Sequence, residues 1–429
     1  MKLELNGAAM HHFAKRLWPI YRSITGDGVR ETLSIIKEIL PELQIKEVSS
    51  GTEVFDWTVP QEWKVRDAWI ISPSGRKICN FQDNNLHVVG YSSPIRAHLT
   101  LSELSGHLYS LPDQPSAIPY VTSYYKEHWG FCISHGERER LEDGIYEVCV
   151  DSEFANGSLT YGELLIEGDS PKEIFLSTYI CHPSMANNEL SGPVVTAFIA
   201  KWLLELEEMK YSCRIIFIPE TIGSIVYLSL NKDKMKADVI AGFNVTCIGD
   251  DRDYSYLPSR QGNTLSDIVA QHILKHIHPS FKSYRWSDRG SDERQYCAPN
   301  IDLPIASIMR TKYGEYPEYH TSLDDLVNVV TPDGLAGGYN VLRLAIEAIQ
   351  RSCYPSVTVY GEPQLGKRGL YPSLSTKTSA AEVRLMMNLI TWSDGSKSLV
   401  EIADLCEVPV WGLYPILDTL VALKLLRVC

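Results

Sequence analysis

Apolar side chains recur at helical spacing through Met10, Phe13, Ala14 and Leu17. After the break at Gly26-Asp27-Gly28 the same spacing returns through Val29, Leu33, Ile36 and Leu40. Two helices are therefore predicted within residues 7–42. From about 52 to 160 the pattern shortens to β-type runs at 52–60, 67–72, 87–93, 97–104, 119–125, 129–134, 144–150 and 159–168, punctuated by proline and glycine. Such runs predict a mostly antiparallel unit. From 172 onward apolar strands alternate with helical patterns: 172–180 with 191–208, 213–219 with 223–232, 238–249 with 263–277, and 302–310 with 335–352. This alternation predicts a mostly parallel sheet flanked by helices.

The chain accordingly divides into an α/β domain of residues 1–51 and 161–355, an inserted mostly-β domain at 52–160, a proline- and glycine-rich linker at 356–376, and a C-terminal module at 377–429. Three helical patterns and a final apolar run give that module the rhythm of a winged helix.

Charge narrows the partners. The 429 residues carry 40 Lys and Arg against 53 Asp and Glu, a net charge of −13, which disfavours polyanions. The winged-helix module repeats the point. Its would-be recognition helix, 409–423, holds no Lys or Arg and one Asp, so no nucleic-acid partner is expected. A packing or dimerisation role fits better, with a homo-oligomer formed through this module or the inserted β domain. Ten cysteines without CxxC pairs, no signal-peptide core and no membrane-length apolar run read as a reduced cytoplasmic protein with no membrane partner.

Ligands in open α/β sheets bind at the carboxyl ends of the strands. Polar residues cluster at those ends here: Cys181-His182-Pro183-Ser184 running to Asn187-Asn188-Glu189 and Ser191-Gly192, then Pro219-Glu220-Thr221, Gly249-Asp250-Asp251, and Tyr319-His320-Thr321 with Asp324. Each alone has an ordinary structural reading. Two imidazoles and several carboxylates gathered at one sheet edge suit zinc, which takes nitrogen and oxygen ligands and keeps one position open for catalysis.

This ordered set resembles the zinc exopeptidase superfamily of bacterial leucyl aminopeptidases and glutaminyl cyclases. That family has a histidine after the first strand, Asn-Asp-Asn-x-Ser-Gly opening a helix, a Glu-Glu pair before Gly-Ser, a later aspartate, and Tyr-His-Thr-x-x-Asp. The subgroup with an inserted β unit and a C-terminal winged helix, described as polysaccharide-biosynthesis proteins, is the nearest in layout. The resemblance implies a three-layer α/β sandwich and metal-assisted cleavage of a peptide or amide in a small substrate. Departures mark the site. The bridging aspartate falls at Asn188, with Glu189 able to replace it, and the first glutamate of the pair is Pro219. The later aspartate falls at Thr246, unless Asp250 or Asp251 reaches in. One zinc on His182, Glu220 and His320, with Asn188, Glu189 or Asp250 nearby, is expected over two.

On that reading Glu220 or Glu293 moves the proton, Tyr319, Tyr313 or Arg289 steadies the oxyanion, and Asp288, Asp292 or Glu318 holds an α-ammonium. The alternative is a non-catalytic binding or scaffold protein that keeps the fold and a partial metal site. Two further features have plain readings. Arg22 to Gly28 looks like a glycine-rich turn, though its donors suit an anion, and His272, His276 and His278 sit at a helix end where cationic imidazoles suit the dipole.

Overall fold

The computed structural model describes residues 4–124, 126–370 and 377–428. Its frame is an eight-stranded sheet built from β1 (Gln44–Ser49), β2 (Ser158–Ile166), β3 (Ser170–Tyr179), β4 (Tyr211–Ile218), β5 (Val239–Asn244), β6 (Ser255–Leu257), β7 (Lys282–Ser283) and β8 (Ile305–Met309). The order across the sheet is β1-β2-β4-β3-β5-β8-β6-β7. The four central strands run parallel, β2 and β6 join them antiparallel, and β1 pairs antiparallel with β2. The sheet is thus mixed at its edges around a parallel centre. In β3, Glu173 to Tyr179 are all buried, as are Ser212 to Ile218 of β4. Strands covered on both faces read as continuous apolar runs rather than alternating ones.

Helices α1 (Gly7–Leu17), α2 (Asp27–Ile39), α3 (Ser191–Leu204), α4 (Ile222–Asp238), α5 (Leu265–Ile277) and α6 (Pro332–Gln350) cover the sheet. Helix α3 is buried around most of its circumference, from Ser191 through Ala200. At Gly192 a Cβ would stand 2.5 Å from the Val245 carbonyl oxygen, so only glycine lets α3 press this closely on the chain after β5.

Between β1 and β2 the chain forms a four-stranded antiparallel sheet, ordered Lys77–Ile78, Glu62–Ile71, Ile145–Ala155, Ile95–Thr100. The run at 97–104 ends as a helix, Leu101–Ser105, because Thr100 and Glu103 form a capping box. Segment 118–124 does not join this sheet. It crosses instead to the loop after β8, where Tyr120 N donates to His320 O (2.9 Å) and Ser322 N donates to Ile118 O (2.9 Å).

The C-terminal module contains α7 (Lys377–Trp392), α8 (Leu399–Leu405) and α9 (Tyr414–Ala422). Its wing pairs Leu426–Val428 with Pro355–Val357, so the stretch read as a linker begins as a strand; its end, 371–376, lies outside the described residues. Two ties dock the module on the α/β domain. His272 of α5 takes a hydrogen bond from Val410 N (2.9 Å) and contacts Asp404 (3.0 Å), and Arg351 pairs with Asp418 (2.7 Å). The expected dipole role for this histidine thus gives way to docking. Among the described residues no single helix is long and apolar enough to cross a membrane.

Candidate metal centre

The carboxyl ends of β3 and β4 deliver the first two candidate ligands. His182 follows β3 and is buried, and Glu220 follows β4 with its carboxylate partly open. Their facing atoms, His182 Nε2 and Glu220 Oε2, lie 3.6 Å apart. His320 arrives from the loop after β8 on a left-handed backbone (φ 56°), its ring centroid 6.0 Å from that of His182. Tyr120 packs edge-on against both imidazoles, its ring centroid 5.3 Å from that of His182 and 5.2 Å from that of His320. All four residues line one cavity of about 350 Å³, together with Trp57, Tyr124, Thr221 and Arg294.

Glu189 does not face this cavity. The π-type turn Ala186–Leu190 that opens α3 buries it completely, so that Oε2 takes the His182 Nδ1 proton (3.0 Å) while Oε1 accepts from Arg22 Nε (3.0 Å). Arg22 is buried too and also donates to the carbonyls of His182 (3.0 Å) and Leu17 (2.8 Å). The turn read as a candidate anion site therefore sends its arginine inward. A carboxylate behind a histidine fixes the ring and leaves the other nitrogen to a metal. Glu189 thus supports His182 from behind, and the expectation that it fills the bridging position is corrected.

Asn188 and Thr246 occupy the places where the family resemblance puts two carboxylates. Here they are linked by neutral groups: Tyr179 donates its hydroxyl to Asn188 Oδ1 (3.1 Å) and shares a 2.5 Å hydrogen bond with Thr246 Oγ1. Asp250 is also held away from the cavity. Its oxygens accept from Asn187 Nδ2 (2.9 Å), Thr311 N and Oγ1 (2.8 Å each) and Arg252 N (3.0 Å), which leaves it as a tie between loops. Asp251 accepts from Thr331 Oγ1 (3.0 Å).

Other assignments change for the same reason, that backbone donors at turns and helix starts need acceptors. Glu293 is fully buried; Oε1 accepts from Gly290 N, Ser291 N and the Tyr313 hydroxyl, and Oε2 from Asn244. It cannot swing to a substrate, and Tyr313 is committed with it. Asp292 accepts from Thr221 N (2.7 Å) and Ser224 Oγ (2.8 Å), closing the start of α4. Asp288 caps its own short turn, Glu318 grips Arg252 through both oxygens, and Arg289 lies over the Trp286 ring. Tyr319 stacks on His320 at 3.9 Å and lies outside the cavity lining.

Electrostatics sort the remaining groups. Burial lowers the His320 pKa to about 3, with His182 adding to the effect, so the ring is neutral and keeps a lone pair. Burial also opposes charge on His182, but Cys181 and the Glu189 carboxylate outweigh it and hold the ring above its ordinary range. Burial raises Glu220, while His182, Ser291 and Arg294 pull it back. Two imidazoles and a carboxylate facing one cavity, one imidazole braced from behind, are a donor set that suits a divalent metal ion. The neutral Tyr179–Asn188–Thr246 link offers no carboxylate for a second.

Comparison with known proteins agrees with this fold. Residues 11–352 match the family described as a domain of unknown function (DUF4910), and residues 352–428 match a winged helix-turn-helix. A Clostridium acetobutylicum protein named for polysaccharide biosynthesis and an aminopeptidase-like domain is 43% identical over 92% of this chain and 91% of its own. The crystal structure of a C. acetobutylicum protein described as a peptidase superposes with a TM-score of 0.92 at 41% identity, covering 99% and 96% of the two chains. A zinc aminopeptidase from Bacillus subtilis shares the fold at 13% identity, with a TM-score of 0.60 over 81% of this chain and 96% of that one. The chain is a member of the DUF4910 family, an aminopeptidase-like α/β domain followed by a winged helix.

Proposed function

We propose that the protein is a metal-dependent hydrolase that cleaves a peptide or amide bond in a small substrate at the His182–Glu220–His320 cavity. The observation that carries this reading is the pairing of His182 Nε2 with Glu220 Oε2 at 3.6 Å while Glu189 holds the opposite nitrogen of the same ring. Zinc held by His182, Glu220 and His320 would supply an activated water and polarise the scissile carbonyl. The chain's own residues do the rest. Tyr120 and Tyr124, joined through their hydroxyls (2.9 Å), wall the cavity and shield it from bulk water. Ser291 donates to Glu220 Oε1 (2.8 Å) and fixes the carboxylate plane, so the free oxygen faces His182. Glu220 is the carboxylate in the lining, and a proton moving between water and a leaving amine has it as the carboxylate acceptor. The polysaccharide-biosynthesis context borne by the name of the Clostridium relative extends this reading to an amide-bearing sugar.

A second reading has its own support. With Asn188 and Thr246 neutral and Glu293 immobilised, one carboxylate must serve both as ligand and as base, which suits a binding protein that kept the pocket and lost turnover. Plasma mass spectrometry on tag-free protein, paired with a screen of aminoacyl and N-acyl amides, separates the two. The hydrolase reading expects about one zinc per chain, lost in His182→Ala and His320→Ala, and turnover that follows the metal. Zinc retained in both variants would remove these histidines as ligands. Zinc without turnover on any amide would leave the binding protein.

A further inference from the structure

An aminopeptidase must hold a free α-ammonium, and that needs an unspent carboxylate beside the scissile bond. Among the described residues of this cavity none is in place. Asp288, Asp292 and Glu318 are each engaged elsewhere, and Glu220 faces His182. Beside Glu220 and the histidines, the charged side chain on the described cavity wall is an arginine. Arg294 lines the cavity from the short helix Glu293–Tyr296, whose first residue is locked in place by its buried carboxylate. Among the described residues Arg294 has no ion-pair partner; its Nη2 donates to Thr221 Oγ1 (2.7 Å). Thr221 itself sits at φ 63°, a strained conformation for a β-branched residue, and the strain places its hydroxyl where it orients the guanidinium.

Accepting the hydrolase reading, we infer that Arg294 recognises a carboxylate on the substrate, so that the chain acts on acylated amino acids or peptides through their acidic end and not on a free amino terminus. The guanidinium fork matches a planar carboxylate through two parallel hydrogen bonds, and Thr221 occupies only one of its donors. The apolar walls, Ile24, Trp57 and Ile222, suit the remaining acyl or side-chain portion.

The test is isothermal titration calorimetry on the full chain, as purified and after chelator treatment, with N-acetyl-L-alanine and L-alaninamide. The first carries a carboxylate and no ammonium, the second the reverse. The expected result is binding of N-acetylalanine in both preparations, weakened about tenfold or more in Arg294→Ala, partly restored in Arg294→Lys and unchanged in Arg289→Ala. Because the chelated protein is included, carboxylate ligation to metal cannot mimic the effect. Alaninamide binding as tightly as N-acetylalanine, an Arg294→Ala affinity within about twofold of the parent, or no heat from either ligand would each overturn the inference. Hydrolysis is scored separately. Arg294-dependent binding without turnover would sink the hydrolase reading alone, and cleavage of aminoacyl amides indifferent to Arg294 would sink this inference alone.

Discussion

Glu189 and Arg22 form a fully buried ion pair, Oε1 to Nε at 3.0 Å, and the same glutamate orients His182 through its other oxygen. Stability and the pose of a candidate metal ligand therefore meet in one carboxylate. Glu189→Gln keeps the shape and removes the charge, and it is expected to weaken zinc binding about 10- to 100-fold, as loss of an outer-shell partner does. Competition against a chromophoric chelator measures this, and an unchanged affinity would place Glu189 outside the metal's influence.

Arg22→Met leaves the Glu189 carboxylate buried without its counter-ion. Removing one partner of a buried pair costs about 3–5 kcal/mol, whereas replacing both with apolar side chains is far milder. Urea unfolding should thus show a large loss for Arg22→Met and a much smaller one for Arg22→Met combined with Glu189→Leu. Equal losses would mean that the guanidinium matters for its packing and not for its charge.

The neutral link through Tyr179 predicts the metal count. Restoring carboxylates at both ends, Asn188→Asp with Thr246→Asp, should raise zinc toward about two per chain, and either change alone should not. Mass spectrometry of the double variant reads the answer directly. A count that stays at about one would show that the second subsite is closed by packing.

Burial raises Asp292 to about 8 and Asp324 to about 7, each from 3.8. An unfolded chain ionises both from about pH 4 upward while the folded chain resists, so the folded state binds more protons through that window. Buried His320, held near 3, pulls the total curve the other way below about pH 6.5, so the sign is read from the difference between parent and Asp292→Asn: the stability of the chelator-treated parent relative to that variant should fall as pH rises from about 4 to about 8. Urea midpoints of both proteins across this range test it; a difference that grows with pH would contradict it.

Sequence pattern alone located β3, β4, β5 and β8, because strands buried on both faces are continuous apolar runs, and the residues at their ends followed. His182, Glu220 and His320 were readable for that reason. The carboxylates were not separable by pattern. Asp250 follows a strand and Asp292 and Glu293 open a short helix, yet all three serve backbone N–H groups, and a cap and a ligand look alike in sequence. Tyr120 and Tyr124 were missed because they come from the insert, about two hundred residues from His320 along the chain, with no local periodicity to mark them. Arg294 had a weak signal, an arginine directly after Asp292 and Glu293. Arg22 gave a misleading one, since its glycine-rich surroundings suggest exposure and the guanidinium is buried.

The hydrogen bond from Tyr120 N to the His320 carbonyl makes the insert a structural parent of the metal centre. Across related chains, then, the insert and the histidine loop cannot drift apart in length or composition without disturbing a candidate ligand's pose. Grafting an insert from one relative into another should alter metal retention together with substrate choice, and evolution of new specificity in this lineage would have to proceed by coordinated change on both sides of that contact.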